Sequence, residues 1–356
     1  MSAVVASTAS LPTLMVVPTG IGCEIGGFAG DAMPSARLLA AATECLITHP
    51  NVMNAASLYW SDHRIHYLEG YGLDRFAAGE WALRPVRIQR IGLLLDLGIE
   101  SELQQRHLQV ADACRAALGL DIGPVVTTDV PLGVHLERGE SGASWGTLER
   151  PDALLRAGER LKEHGATAIA VVARFPDDPH SDGLAAYRHG EGVDALAGAE
   201  AVISHLLVRH LQMPCAHAPA LDPLPLDPQL DPRAASEELG YTFLACVLVG
   251  LSRAPDLLGA DQPQLGAITA DQLGAVVAPA GALGGEAVLA CLERRIPLIA
   301  VENASVHSVT ARALGLQDGV LHARSYAEAA GLLLAMREGL SPGALQRPLT
   351  ALQRLS

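Results

Sequence analysis

The chain has 356 residues, 49% hydrophobic, 18% charged and 4% aromatic, with a net charge of −14. So apolar a chain buries a large core, which excludes disorder, and its length favours two lobes. The acidity and the lack of any Lys/Arg cluster exclude nucleic acid and anionic membrane as partners, leaving a small-molecule substrate.

In chain order, Thr13 to Val17 reads as a buried strand, followed by a glycine-rich turn from Pro18 to Asp31 and a helix opening near Pro34. Leu46 to Thr48 reads as a second strand. Residues 51–84 are polar and aromatic with little periodicity, the mark of an irregular functional segment or insertion. Strands at Ile91 to Asp96, Pro124 to Thr128 and Thr167 to Ala173 then alternate with helices at 100–118, 151–164 and 199–211. Residues 214–232 hold six prolines and read as an extended connection. A helix over 237–251 follows. Then come a βαβ unit (Ala275 to Ala278, 285–294, Pro297 to Val301) and helices at 326–335 and 343–354.

This alternation predicts a Rossmann-like α/β fold, with mostly parallel sheets and helices on both faces. The expected division is an N-terminal lobe over 1–213, a connection over 214–233 and a C-terminal lobe over 234–356. The two last helices either cover a sheet or form a homo-oligomer face.

Lys162 is the lone lysine, so 24 of the 25 basic residues are arginine. It reads as the solvent-facing end of a helix, which excludes pyridoxal phosphate and lysine Schiff-base chemistry and a P-loop NTPase. The six cysteines are scattered, with no C-x-x-C pair, and no leader or 20-residue apolar span is evident. These features predict a cytoplasmic protein.

The first turn carries Thr19, Gly20, Gly22, Gly26 and Gly27, whose backbone N–H groups can converge on an anion. The same glycines also suit a plain tight turn. A dinucleotide fingerprint would need an acid after the next strand, where His49 and Asn51 stand instead. Cys23 lies in this turn, near a helix start that can activate a thiol. A second glycine turn, with Gly284 and Gly285 before a helix and Glu302 and Asn303 after the next strand, matches ribose-binding logic more closely. Helix packing alone would also account for it.

Arg174, Asp177, Asp178, His180 and Asp182 follow the strongest strand. Arg174 suits an anion, and the four others are candidate ligands of a divalent metal, in a spacing that a solvated turn also shows. The 199–211 helix carries Ser204, His205 and His210, the last beside its apolar stripe. It leads to Cys215 and His217, a candidate nucleophile and general acid/base. His49 and Asp129, at strand ends, are further proton-transfer candidates. Asp62, His63 and His66 belong to a pocket wall or lid. A nucleotide or divalent metal remains the cofactor to look for.

Long strings, among them PTGIGCEIGGFAGDA (18–32), THPNVMNAA (48–56), CAHAPAL (215–221) and APAGALGGEAVLACLERRIPLIAVEN (278–303), resemble a family catalogued as a domain of unknown function in cyanobacteria, plants and other bacteria. The resemblance runs over most of the chain and implies no activity. A fainter likeness, at Ala199 to Ile203 and Cys215 to Pro219, is to the second-cysteine turn of the aspartate/glutamate racemase group. The partner-cysteine turn that the likeness implies after an early strand is missing unless Cys23 serves, and an extra helix intervenes before Cys215. The expected function is acid/base chemistry, with or without a cysteine, on a small anionic metabolite by a lyase, isomerase or hydrolase. The rivals are an NAD(P)-dependent oxidoreductase and a non-catalytic small-molecule binding protein.

Overall fold

The computed structural model describes residues 10–354 apart from 60, 178–180, 239–242, 260, 262–263, 317–318, 346, 350 and 353. The first apolar run forms β1 (Thr13–Met15), every residue buried. Pro34 stands in the first turn of α1 (Met33–Thr43), where its missing N–H costs nothing. β2 (Leu46–Thr48) follows. The segment 51–84 is more regular than its sequence predicts, with α2 (Pro50–Met53), β3 (Ile65–Tyr67), α3 (Gly70–Ala77) and β4 (Trp81–Arg84). Elements this short leave no readable period.

The middle of the chain supplies β5 (Ile91–Leu95), α4 (Ser101–Leu118), β6 (Ile122–Thr127) and a hairpin of β7 (Val134–Arg138) and β8 (Ser144–Leu148). It continues with α5 (Pro151–Glu163), β9 (Ala168–Arg174), α6 (Asp182–Arg188), α7 (Ala197–Leu211) and β10 (Cys215–Ala220). The expected connection therefore opens with a strand. Pro219 is tolerated there because β10 is a sheet edge.

The expected 237–251 helix corresponds to α8 (Pro232–Glu238) and α9 (Leu244–Leu251) on either side of residues outside the described set. Then come β11 (Asp256–Gly259), β12 (Ala275–Pro279), α10 (Glu286–Glu293), β13 (Leu298–Val301), β14 (Val320–Ala323) and α11 (Tyr326–Arg337). In place of the expected 343–354 helix there is a short 3₁₀ turn, Pro342–Leu345, and no helix among the described residues after it.

Two parallel sheets organise these elements. The larger runs β14-β13-β12-β1-β2-β3, and the smaller β10-β9-β5-β6. Read from its other edge, the larger is the doubly wound Rossmann order, with its switch point between β1 and β12. Its strands come from both sides of the 214–233 connection, since Met15 pairs with Val277. The sheets therefore do not follow the expected 1–213 and 234–356 lobes. The smaller sheet is an insertion from the middle of the chain. One core joins them: Met15 and Val277 of the larger sheet, Leu244 and Leu248 of α9, and Ala170 and Ala216 of the smaller belong to one buried cluster.

Candidate functional site

Where the carboxyl ends of β9 and β10 face the turns after β1 and β2, the chain encloses a cavity of about 420 Å³. This is where an open α/β sheet receives ligands. Its walls include Ala29 from the first glycine turn, Ser144 from the hairpin, and Tyr187 from α6. Asp194 comes from the loop before α7, Glu200 from the first turn of α7, His217 from β10 and Glu237 from α8.

His217 anchors the polar part. Glu200 and Ser204 are four residues apart and share one face of α7. The imidazole of His217 meets both. Nδ1 is hydrogen-bonded to the Ser204 hydroxyl, and Nε2 lies 3.5 Å from the Glu200 carboxylate. An ionised carboxylate only accepts, so with Glu200 charged Nε2–H points to it and the Ser204 hydroxyl donates to Nδ1. Ser204 is only 1% exposed and does not line the cavity, which removes it as a nucleophile. It positions the ring.

Two more carboxyls stand close by. Asp194 accepts the backbone N–H of Leu196 at 2.8 Å; burial, then the charge of Glu200, raises its pKa to about 7. Glu237 accepts the Tyr187 hydroxyl at 3.0 Å and the N–H of Ala29. Burial, with the charge of Asp194 next, holds Glu237 well above the ordinary carboxylate range.

The first glycine turn is tied into the surrounding chain. Several of its N–H groups are taken by the chain itself: Ile25 by Asn303 at 2.8 Å, Gly26 by Asp31 at 2.5 Å, and Ala29 by Glu237. Asn51 closes the turn from the other side through the carbonyls of Val17 and Gly26. Arg233 pairs with Asp31 at 2.7 Å and donates to the Cys23 carbonyl, the contact that leaves no room for a side chain at Gly27. Gly20 and Gly22 pack against Ser144, Gly192 and Val193, with Thr19 just before them. Within this turn the Gly26 and Ala29 N–H groups meet carboxyl groups of the protein itself.

Of the other expected residues, Asp177 lines the cavity but is held by Arg174 at 2.5 Å and by the N–H of Asp222. Arg174 is committed in turn to Glu100 at 2.9 Å and to the Phe175 carbonyl. His49 is buried outside the cavity, where Nε2 accepts the Val17 N–H at 3.0 Å. Asp129 is exposed and clamped by Arg156. Both cysteines are buried. Desolvation pushes the Cys23 thiol up to about 12 and Cys215 well above its ordinary value, the opposite of an activated nucleophile. Neither lines the cavity, so the two-cysteine arrangement of the racemase likeness is not formed.

The second glycine turn is covered by the chain at 305–309: Leu283 bonds Val309, and Gly281 and Gly284 pack against His307 and Val309. Gly285 caps α10, and Glu302 is exposed. Asp178 and His180 lie outside the described residues, and Asp182 opens α6. Among the described residues, no three His, Cys, Asp or Glu side chains are grouped to hold a metal. Of the aromatic segment, Asp62 is paired with Arg64, while His63 and His66 do not line the cavity.

Sequence reasoning found His217 and noted Ser204, but missed Asp194, Glu200 and Glu237. The signal for Glu200 was its four-residue spacing from Ser204 on a helix leading to a histidine-bearing strand.

Two parallel doubly wound layers sharing a core, with an acid-lined cavity at the strand ends, define a Rossmann-like α/β protein. The chain belongs to the family described as protein of unknown function DUF3326, which matches residues 12–346. It is similar to a protein of the cyanobacterium Synechococcus named as an uncharacterized lipoprotein, with 55% identity over 337 residues, 94% of this chain and 93% of the relative. That relative's name overturns the cytoplasmic expectation, since lipoproteins are held at a membrane. Among the described residues, no helix is long and apolar enough to cross one.

Proposed function

We propose that the protein is an enzyme that moves protons on a small molecule held in the cavity, as a lyase, isomerase or hydrolase. One observation carries this reading: His217 is fixed in the cavity wall between Ser204 and Glu200, beside a carboxyl, Asp194, raised to about 7. A carboxyl held protonated by burial beside a hydrogen-bonded His–Glu pair supplies a donor and an acceptor on one wall. Asp194 is the proton donor and the Glu200 carboxylate the acceptor, oriented by the His217 Nε2–H, with Ser204 positioning the ring through Nδ1. No cysteine takes part. Two N–H groups of the glycine turn, of Gly26 and Ala29, already meet the carboxyls of Asp31 and Glu237, so an anionic substrate would have to be held elsewhere on the wall.

The test is turnover of metabolites by the purified full chain, followed by mass spectrometry. His217→Gln is expected to lower kcat by about 100-fold or more, and Ser204→Ala to lower it less while moving the pH profile. Full turnover in His217→Gln removes the mechanism. Binding without turnover in the wild type favours the binding-protein alternative.

Nucleotide-dependent redox chemistry has one observation in its favour, the Rossmann strand order of the larger sheet. It requires NAD(H) or NADP(H) to raise the melting temperature at millimolar concentration.

A further inference from the structure

One hydrogen-bond donor on the cavity wall is held in place by three separate parts of the chain. Asn54 is the C-cap of α2, the short helix after β2, and it lines the cavity. Its backbone is fixed on both sides. The N–H donates to the Pro50 carbonyl at 2.7 Å, and the carbonyl oxygen lies against Gly30, which has no Cβ to push it away. The amide side chain is therefore the polar group that Asn54 brings to the wall. Its Oδ1 accepts the Tyr67 hydroxyl at 3.0 Å.

Tyr67 fixes which way that amide faces. It ends β3 and is buried, and α9 passes so close that a Cβ at Gly250 would lie 2.7 Å from the ring. Burial holds its hydroxyl well above the ordinary value, so it stays protonated and donates. Turning the amide over would make the phenol accept and strand its proton, since Asn54 is its hydrogen-bond partner among the described residues. Nδ2 is left with no hydrogen-bond partner among the described residues, and it is not a sealed polar atom. Its N–H donors open onto the cavity that Asn54 lines. The apolar part of the wall includes Leu136, Leu184, Val193, Leu196 and Leu221.

We propose that the cavity binds a small molecule with an apolar body through a carbonyl oxygen, of a ketone, amide or carboxyl group, received by the Asn54 Nδ2–H, with Tyr67 as positioning residue. This rests on reading the cavity as the substrate site and names the polar group its substrate carries. A carbonyl oxygen only accepts and matches a donor fixed in advance. An ammonium or hydrocarbon in its place leaves that donor desolvated and unpaired. Of the two arginines on the wall, Arg188 is held by Glu238 at 2.7 Å, while Arg138 pairs with no carboxylate among the described residues. The same oxygen chemistry can therefore come from a neutral or an anionic ligand, and the probes separate the two.

The experiment compares acetophenone, benzoate, α-methylbenzylamine and isopropylbenzene as probes of the full chain, by thermal shift and titration calorimetry at pH 8. The first two carry the oxygen, and the others keep the shape without it. At least one of the first two is expected to raise the melting temperature and to bind roughly tenfold or more tightly than the amine or the hydrocarbon. Which of them does so tells a neutral carbonyl from a carboxylate. Asn54→Asp keeps an acceptor for Tyr67 but offers no donor, and Tyr67→Phe frees the amide to turn. With native circular dichroism confirmed, the first variant is expected to erase the preference for oxygen. The second is expected to reduce it about threefold or more while isopropylbenzene binds as before. No shift from either oxygen-bearing probe, equal binding of the amine or hydrocarbon, or an undiminished preference in folded Asn54→Asp overturns the proposal. Equal weakening of all probes in Tyr67→Phe overturns the positioning role of Tyr67. His217→Gln keeps Asn54 and Tyr67 in place, so normal turnover in that variant ends the acid/base mechanism and leaves the binding comparison standing.

Discussion

His49 offers a direct measurement of the difference between a catalytic and a structural histidine. Its ring is 8% exposed, and burial lowers its pKa from 6.5 to about 4. Protonating Nε2 would set N–H against the Val17 N–H that it now accepts. The folded value lies below the unfolded one, so the unfolded chain takes up the proton first. The stability held by neutral His49 is complete above about pH 6.5 and falls as the pH drops toward 4. A gap of that size corresponds to a loss of about 3 kcal/mol by pH 4. In His49→Gln the side-chain oxygen can still accept from Val17 and does not titrate. Urea denaturation at pH 7.5 and pH 4 should show the variant less stable at neutral pH by about 1–2 kcal/mol. Its stability should then fall by about 3 kcal/mol less than the wild type's on acidification. Turnover should be kept, since the ring does not line the cavity. Parallel pH profiles for the two proteins would refute the assignment.

Two further outcomes follow from the same turn. Gly30 holds φ +87°, and a Cβ there would lie 2.1 Å from the Asn54 carbonyl oxygen. Gly30→Ala should therefore cost at least about 2 kcal/mol in denaturant titration; a neutral result would mean that the turn relaxes freely. All six cysteines are free and buried, so Ellman's reagent should label them only in denaturant. Rapid labelling of Cys23 in the native protein would show that its thiol is open to solvent.

The parts of the fold that were legible are those whose residues announce a period or a run. β5 and β12 are unbroken apolar strands and β9 is apolar up to its final Arg174, all buried along their length or nearly so, and their helices are long enough to show a stripe. β3 and β4 have three and four residues, and β8 reads Ser-Trp-Gly-Thr-Leu, so tertiary pairing rather than local pattern decides them. His217 was legible because a polar residue near the end of a short apolar strand stands out. Glu200 was not, because an acid near a helix start looks like ordinary dipole compensation. Glu237 was hidden by distance: the N–H it satisfies, on Ala29, lies 208 residues earlier in the chain. The glycine turn showed that its N–H groups needed acceptors. Only the fold revealed that Asp31, Glu237 and Asn303 supply them.

The register of β1 against β12 also sets an order of events during synthesis. The four-stranded sheet is drawn wholly from residues 91–220 and can be complete while the chain is still being made. The six-stranded sheet must wait for residues beyond 275, since Thr13 pairs with Ala275 on one side although Leu46 is at hand on the other. Throughout that interval β1 has one open edge of unpaired backbone N–H and C=O groups. Pairing over so long a separation is slow, and an uncovered edge is where strands find wrong partners. The last quarter of the chain is what closes it.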